Sequence, residues 1–111
     1  MARRRMIVPE IWQSESFAQL YILAKLVFIG LFSNADDEGR GIANPVYIKS
    51  ILFPYDDGMR VIDIEKALSE IGQFMSVTLY THDGRKYYAL DNWKKSQTID
   101  PVSYTHLTLP T

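Results

Sequence analysis

The sequence predicts an α+β fold with three main helices and a C-terminal two-stranded β-hairpin, and three observations carry that expectation. The run Leu20 to Phe32 is apolar at nearly every position, as in a helix at the centre of a core. The segment from Val61 to Ile71 places Ile64, Ala67, Leu68 and Ile71 at i, i+3, i+4 and i+7, the stripe of an amphipathic helix. From Met75 to His82, apolar and polar residues alternate up to Asp83-Gly84, a strong two-residue hairpin signal. Short helices of this kind cannot enclose a two-sided core unaided. A hairpin that closes the open side gives the winged helix-turn-helix arrangement.

Taken in order, Ile7, Pro9, Ile11 and Trp12 read as an extended arm whose apolar side chains dock on the core. Ser14 caps one short helical turn ending near Leu20. The central helix follows from Tyr21 to about Ser33, with Leu20, Ala24, Val27, Phe28 and Leu31 at helical spacing. The stretch Asn34 to Gly41 (NADDEGRG) is rich in residues that cap helices and form turns, so the helix ends there. Ile42 and Ala43 are placed as a short strand. Asn44 before Pro45 is a helix start, a cap followed by a proline whose missing donor is harmless in the first turn, and the second helix runs to about Leu52. Pro54 and Asp56-Asp57-Gly58 then break the chain. The third helix spans Val61 to Ile71 with Gly72 as its terminator. In the hairpin, Leu79 opposite Tyr88 and Val77 opposite Leu90 form the core face. Tyr80 opposite Tyr87 and His82 opposite Arg85 form the wet face. Trp12 and Trp93 are read as core or arm anchors.

The composition fits one domain. A mass of 12.8 kDa, 47% hydrophobic and 23% charged residues supply one core and exclude disorder throughout. Twelve Lys plus Arg oppose thirteen Asp plus Glu, for a net charge of -1, so bulk positive charge cannot hold nucleic acid. With no cysteine, disulfides, thiolate zinc sites and cysteine nucleophiles are excluded. The basic start Met1 to Met6 is followed by Pro9, Glu10, Gln13, Ser14 and Glu15 rather than an apolar stretch, which argues against a signal peptide. The run Leu20 to Phe32, interrupted by Lys25, makes only about 20 Å of helix against a hydrocarbon core of about 30 Å. No membrane partner and a cytoplasmic location in a bacterial host cell are therefore expected.

The segments MIVPEIW, LVFIGLFSNADDEGRG, ILFPYDD and NWKKSQTID together resemble the winged-helix N-terminal domain of phage replication-initiation and DnaD-like proteins, over roughly residues 1 to 101. The resemblance implies a role in replication: binding origin or single-stranded DNA and helping to recruit helicase-loading proteins. It implies no catalytic residue and no cofactor. Two departures stand out. Tyr21, Ile22 and Leu23 occupy a place that is polar and helix-capping in the family pattern, which exposes apolar surface and opens the way to homo-oligomers. The closing residues Ser103 to Thr111 (SYTHLTLPT) match neither the family nor the rest of the chain and look like translated adapter read-through from a metagenomic reading frame. The expected organisation is a winged-helix domain at 1–102, continued in the natural chain, and a non-native tail at 103–111.

Charge position says more than total charge. Between Asp36 and Glu70 eight acids oppose four bases, whereas outside that stretch five acids face eight bases. Asp63, Glu65 and Glu70 on the third helix would meet phosphates with like charge, which disfavours base reading by that helix. The DNA contacts are instead assigned to Arg85 and Lys86 at the wing tip, Lys94 and Lys95 after it, and Arg3, Arg4 and Arg5 at the start. Two readings stand for Tyr80 and Tyr87: stacking on exposed bases, or a solvated cross-strand pair. His82 is likewise either a phosphate contact or a solvated strand-end histidine. The alternative function is a protein-interaction or oligomerisation module without direct DNA binding, using Tyr21, Ile22, Leu23, Asp63 and Glu70.

Other chemistry finds little footing. The carboxylates Asp36-Asp37-Glu38 and Asp56-Asp57 lack EF-hand spacing and a supporting histidine set, so loop fixing through side-chain to backbone bonds is expected rather than a metal. Gly39 and Gly41 lack the rest of a phosphate-binding fingerprint, and nothing places a Ser-His-Asp triad. No metal, no catalytic residue and no enzymatic activity are expected.

Overall fold

A computed structural model describes residues 5–91 and 93. They form an α+β fold with four α-helices and a three-stranded antiparallel sheet, in the order α1 (Glu15–Ala18), α2 (Ile22–Ser33), β1 (Arg40–Ile42), α3 (Pro45–Leu52), α4 (Val61–Phe74), β2 (Val77–His82) and β3 (Arg85–Leu90). A 3₁₀ turn, Pro9–Gln13, precedes α1, where the sequence reading placed an extended arm. Proline at its first position sets a helical φ, and Ser14 ends it by donating its N–H to the carbonyl of Ile11.

Each helix start has a visible cause. The Ser14 hydroxyl accepts from the N–H of Phe17 at 3.2 Å, and Asn44 Oδ1 accepts from Val46 and Tyr47 at 2.9 and 3.2 Å, the capping role expected of both. Tyr21, which begins α2, offers no side-chain cap. Its exposed N–H is taken up instead by the Glu70 carboxylate of α4 at 3.0 Å. The first turn of α4 is closed by Asp63, which accepts from the Arg60 N–H at 3.0 Å and from its guanidinium at 3.0 and 3.3 Å. That pairing holds the Asp63 carboxyl below its usual range. Gly72 does not terminate α4, which continues through Phe74. Leu79 lies across Gly72 so closely that an added Cβ would sit 3.0 Å from its methyl. The glycine therefore serves helix-to-sheet packing.

The core is formed by Phe17, Leu20, Ala24, Val27, Leu31, Ile48, Ile64, Ala67, Leu68, Ile71, Val77 and Tyr88. It lies between α2, α3 and α4 and is closed by the sheet. Burial of side chains such as Ile48, Ile64 and Ile71 contributes about 1.5–3 kcal/mol each. Leu79, expected in the core, is 41% exposed, because it sits over Gly72 near the edge of α4. Trp12, read as an anchor, is 62% exposed and meets the Phe17 ring in a T-shaped contact. Trp93 is buried, as expected of an anchor.

The hairpin register is the expected one, Val77 to Leu90, Leu79 to Tyr88, Tyr80 to Tyr87 and His82 to Arg85. Asp83 and Gly84 both take positive φ, 52° and 76°, which is the type I′ geometry. The added feature is β1, which pairs with β3 through Arg40 to Ala89, Gly41 to Tyr88 and Ile42 to Tyr87, giving the order β1-β3-β2. The strand lies slightly earlier than Ile42 and Ala43, because Ala43 is already turning inward towards α3. Its N–H still donates to Lys86 O.

Tyr88 joins the layers. Its hydroxyl donates to the carbonyl of Leu31 at 2.6 Å, near the C-terminal end of α2, where helical carbonyls lack intrahelical partners. Burial raises the phenol pKa above its ordinary value of 10, helped by the nearby Asp36 carboxylate. Tyr88→Phe is expected to cost about 1–2 kcal/mol in urea unfolding, the penalty of an orphaned buried acceptor. Because the folded phenol holds its proton after the unfolded one has begun to lose it, stability is full below pH 10 and falls as pH rises beyond it. The Phe variant should show a shallower fall in the same titration.

Candidate nucleic-acid interface

The sheet has one face on the core and one outside. Side chains directly opposite one another share a face and alternate along each strand. The register therefore puts Ile42, Tyr87 and Tyr80 in one outward row, Arg40, Ala89 and Thr78 in the next, and His82 and Arg85 beyond them at the tip. Tyr80 and Tyr87 lie with ring centroids 5.6 Å apart and planes inclined by 28°. Arg85 and Lys86 are exposed and make no ion pair among the described residues. His82 approaches Asp83 at 3.4 Å, with both side chains well exposed.

An open groove of about 950 Å³ runs along this outer face. Tyr80, Tyr87, His82 and Arg40 line it from the sheet, Tyr47 and Ile51 from α3, and Asp36 and Glu38 from the loop after α2. Sequence reasoning missed Arg40, Ile42 and Tyr47 as neighbours of the tyrosine pair. Residues 40 and 42 are separated from the hairpin by two helices, and only the β1–β3 pairing brings them alongside.

The loop carboxylates organise backbone. Asp36 Oδ1 accepts from the N–H groups of Glu38 and Arg40 at 2.8 and 3.0 Å, and Asp56 Oδ1 from that of Gly58 at 3.2 Å. Asp36 also meets the Arg40 guanidinium at 3.6 Å in an exposed pair, which adds little. Among the described residues, no three His, Cys, Asp or Glu side chains gather as a metal site, and no helix is long and apolar enough to cross a membrane.

The other assigned contacts divide. Arg3, Arg4, Lys94 and Lys95 lie outside the described residues, as does the tail at 103–111. Arg5 is turned inward: its side chain is 6% exposed, its Nη2 donates to Ala35 O at 2.8 Å and meets Asp37 at 3.5 Å, and its guanidinium lies 5.0 Å from the Trp93 ring centroid. The Trp93 indole N–H in turn donates to Asp37 O at 2.9 Å. Gly39, at φ 78°, sits against the indole where any Cβ would collide. Arg5 and Trp93 thus pin the acidic loop from two distant parts of the chain, and the arginine is a structural group rather than a surface phosphate contact.

The proposed protein-interface residues also separate. Tyr21 and Ile22 are exposed, Ile22 at 75%, and Leu23 is half-buried. Ile22 and Leu26, the latter 52% exposed, with half-buried Ile29, make an apolar stripe on α2 opposite Ala24, Val27 and Leu31. Asp63 and Glu70 are engaged in the helix-start contacts with Arg60 and Tyr21 described above.

Comparison of the chain with protein-family models, with curated proteins and with solved structures finds no match.

Arg5→Ala should lower unfolding stability by about 1–2 kcal/mol, through loss of a charge-assisted hydrogen bond and the contact over Trp93. The measurement is denaturant unfolding followed by tryptophan fluorescence, and an unchanged midpoint would contradict the inward assignment.

Proposed function

We propose that the chain is a winged-helix DNA-binding domain of a phage-type replication-initiation protein, which contacts DNA through its wing and basic ends. The observation that carries this reading is a β-hairpin whose tip offers Arg85 and Lys86 to solvent without acidic partners among the described residues, next to an outward face bearing Tyr80 and Tyr87. The element order from α2 onward, helix, strand, helix, helix and two strands, is compatible with a winged helix. The acidic α4 argues against groove reading by that helix, since Asp63, Glu65 and Glu70 repel phosphate. Phosphate contact therefore falls to the wing, with Lys94, Lys95, Arg3 and Arg4 as further contacts. The replication context comes from the sequence resemblance.

A second reading is favoured by one specific feature, the exposed Ile22 and Leu26 flanked by half-buried Ile29 on α2. A helix apolar on all sides ordinarily has its outer face covered, so a protein-interaction or oligomerisation module of the same replication apparatus is the alternative.

Fluorescence polarisation with duplex and single-stranded oligonucleotides, beside light scattering, separates the two. With roughly five phosphates neutralised, log K should fall with log salt at a slope of about -4.5 on duplex or about -3.5 on single strands. Arg85→Glu/Lys86→Glu should weaken binding about tenfold or more at low salt and make the slope shallower by about 2. Equal binding by parent and variant would remove the wing from the interface. Concentration-dependent association without DNA binding would favour the second reading.

A further inference from the structure

We infer that the outer sheet face and the groove beside α3 form a base-stacking site for an unpaired DNA strand, with Arg40 and Tyr47 as contact residues that the wing alone does not provide. This inference rests on the DNA-binding reading and adds which form of DNA the site takes. The flat π-surface is the first argument. Tyr80 and Tyr87 stand as a stacked pair on the solvent side of the sheet, with the exposed Ile42 completing their row from β1. Tyr47 faces the same groove from α3. Aromatic rings of this kind bind the faces of bases, which are buried between neighbours in duplex DNA and free in a single strand.

Charge is the second argument. Arg85 stands on the same face as the tyrosines on the tip side, and Arg40 on the other, where Asp36 meets its guanidinium at 3.6 Å. Lys86 adds its charge at the tip. A strand laid along the face thus meets the tip cations at one end of the aromatic row and the exposed Arg40–Asp36 pair at the other, where a phosphate shares the guanidinium with the carboxylate. The carboxylates of Asp36 and Glu38 line the groove on the Arg40 side and set a limit to the strand's path by repelling further phosphates. The site is consequently short. Duplex DNA can use the tip cations but not the tyrosines or Tyr47.

The test uses the full chain and fluorescein-labelled probes of about twelve nucleotides: oligodeoxythymidylate, an abasic strand of equal length, and a duplex of equal length. Oligodeoxythymidylate should bind about 5-fold or more tightly than either of the others, since loss of one stacked base costs at least that factor. Tyr80→Ala and Tyr47→Ala should bring its affinity close to that of the abasic strand, whereas Tyr80→Phe, which keeps the ring, should bind like the parent. Tyr47 lies outside the hairpin, so its variant reads the site even if Tyr80→Ala unfolds the wing. Equal affinity for abasic and thymidine strands, preference for the duplex, or unchanged binding by Tyr47→Ala would overturn the stacking site and leave charge-based DNA binding standing. Failure to bind any probe would overturn both.

Discussion

The structure depends on how Tyr88 is buried. Its ring passes beneath Gly41 so closely that a side chain there has no room, and its hydroxyl reaches the carbonyl of Leu31. One residue of β3 thereby fixes the position of β1 on one side and the end of α2 on the other. The hydrogen bond does more than add its own free energy, since without it a buried helix-end carbonyl would be left without a partner. The same contact requires glycine in β1, so the sheet is a three-stranded one by steric fit as well as by backbone pairing.

From that anchor, the acidic loop follows. Leu90 donates its N–H to Gly39 O, Asp36 gathers the N–H groups of Glu38 and Arg40, and Arg5 and Trp93, one over the other, both bond the loop backbone. The carboxylates that concentrate negative charge in this part of the sequence are thus used to build a rigid turn. Their second effect is electrostatic. They give one end of the outer groove a negative boundary, while the hairpin tip gives the other a positive one. On the proposed reading, that polarity confines a nucleic-acid strand to the sheet face and the tip.

The acids of α4 show the same economy. Asp63 and Glu70 are candidates for a protein-facing patch in the sequence, yet Asp63 closes its own helix start with Arg60, and Glu70 accepts the N–H of Tyr21 just ahead of α2. Glu70 thereby ties the start of α2 to α4. What remains exposed there is the pair Ile22 and Leu26, flanked by half-buried Ile29, the surface on which self-association would draw.

Much of the fold was legible in the sequence because it is governed by local chemistry. Asn44-Pro45 starts α3, Ser14 caps α1, Asp83-Gly84 turns the hairpin, and the 3.6-residue stripe of α4 and the alternation of β2 set which residues face inward. Each of these depends on neighbours within about one turn of chain. The differences lie where distant groups meet: Gly72 sits inside α4 with Leu79 packed over it, Arg5 points inward to Trp93 and Asp37, and Leu79 stays half in solvent. The candidate site divides the same way. The sequence by itself determined the tyrosine pair and the cationic tip, since hairpin register follows from the turn. Only the tertiary structure brought Arg40, Ile42 and Tyr47 to that face, because pairing between β1 and β3 is a contact across more than forty residues, and no local pattern encodes which strand edge it will choose.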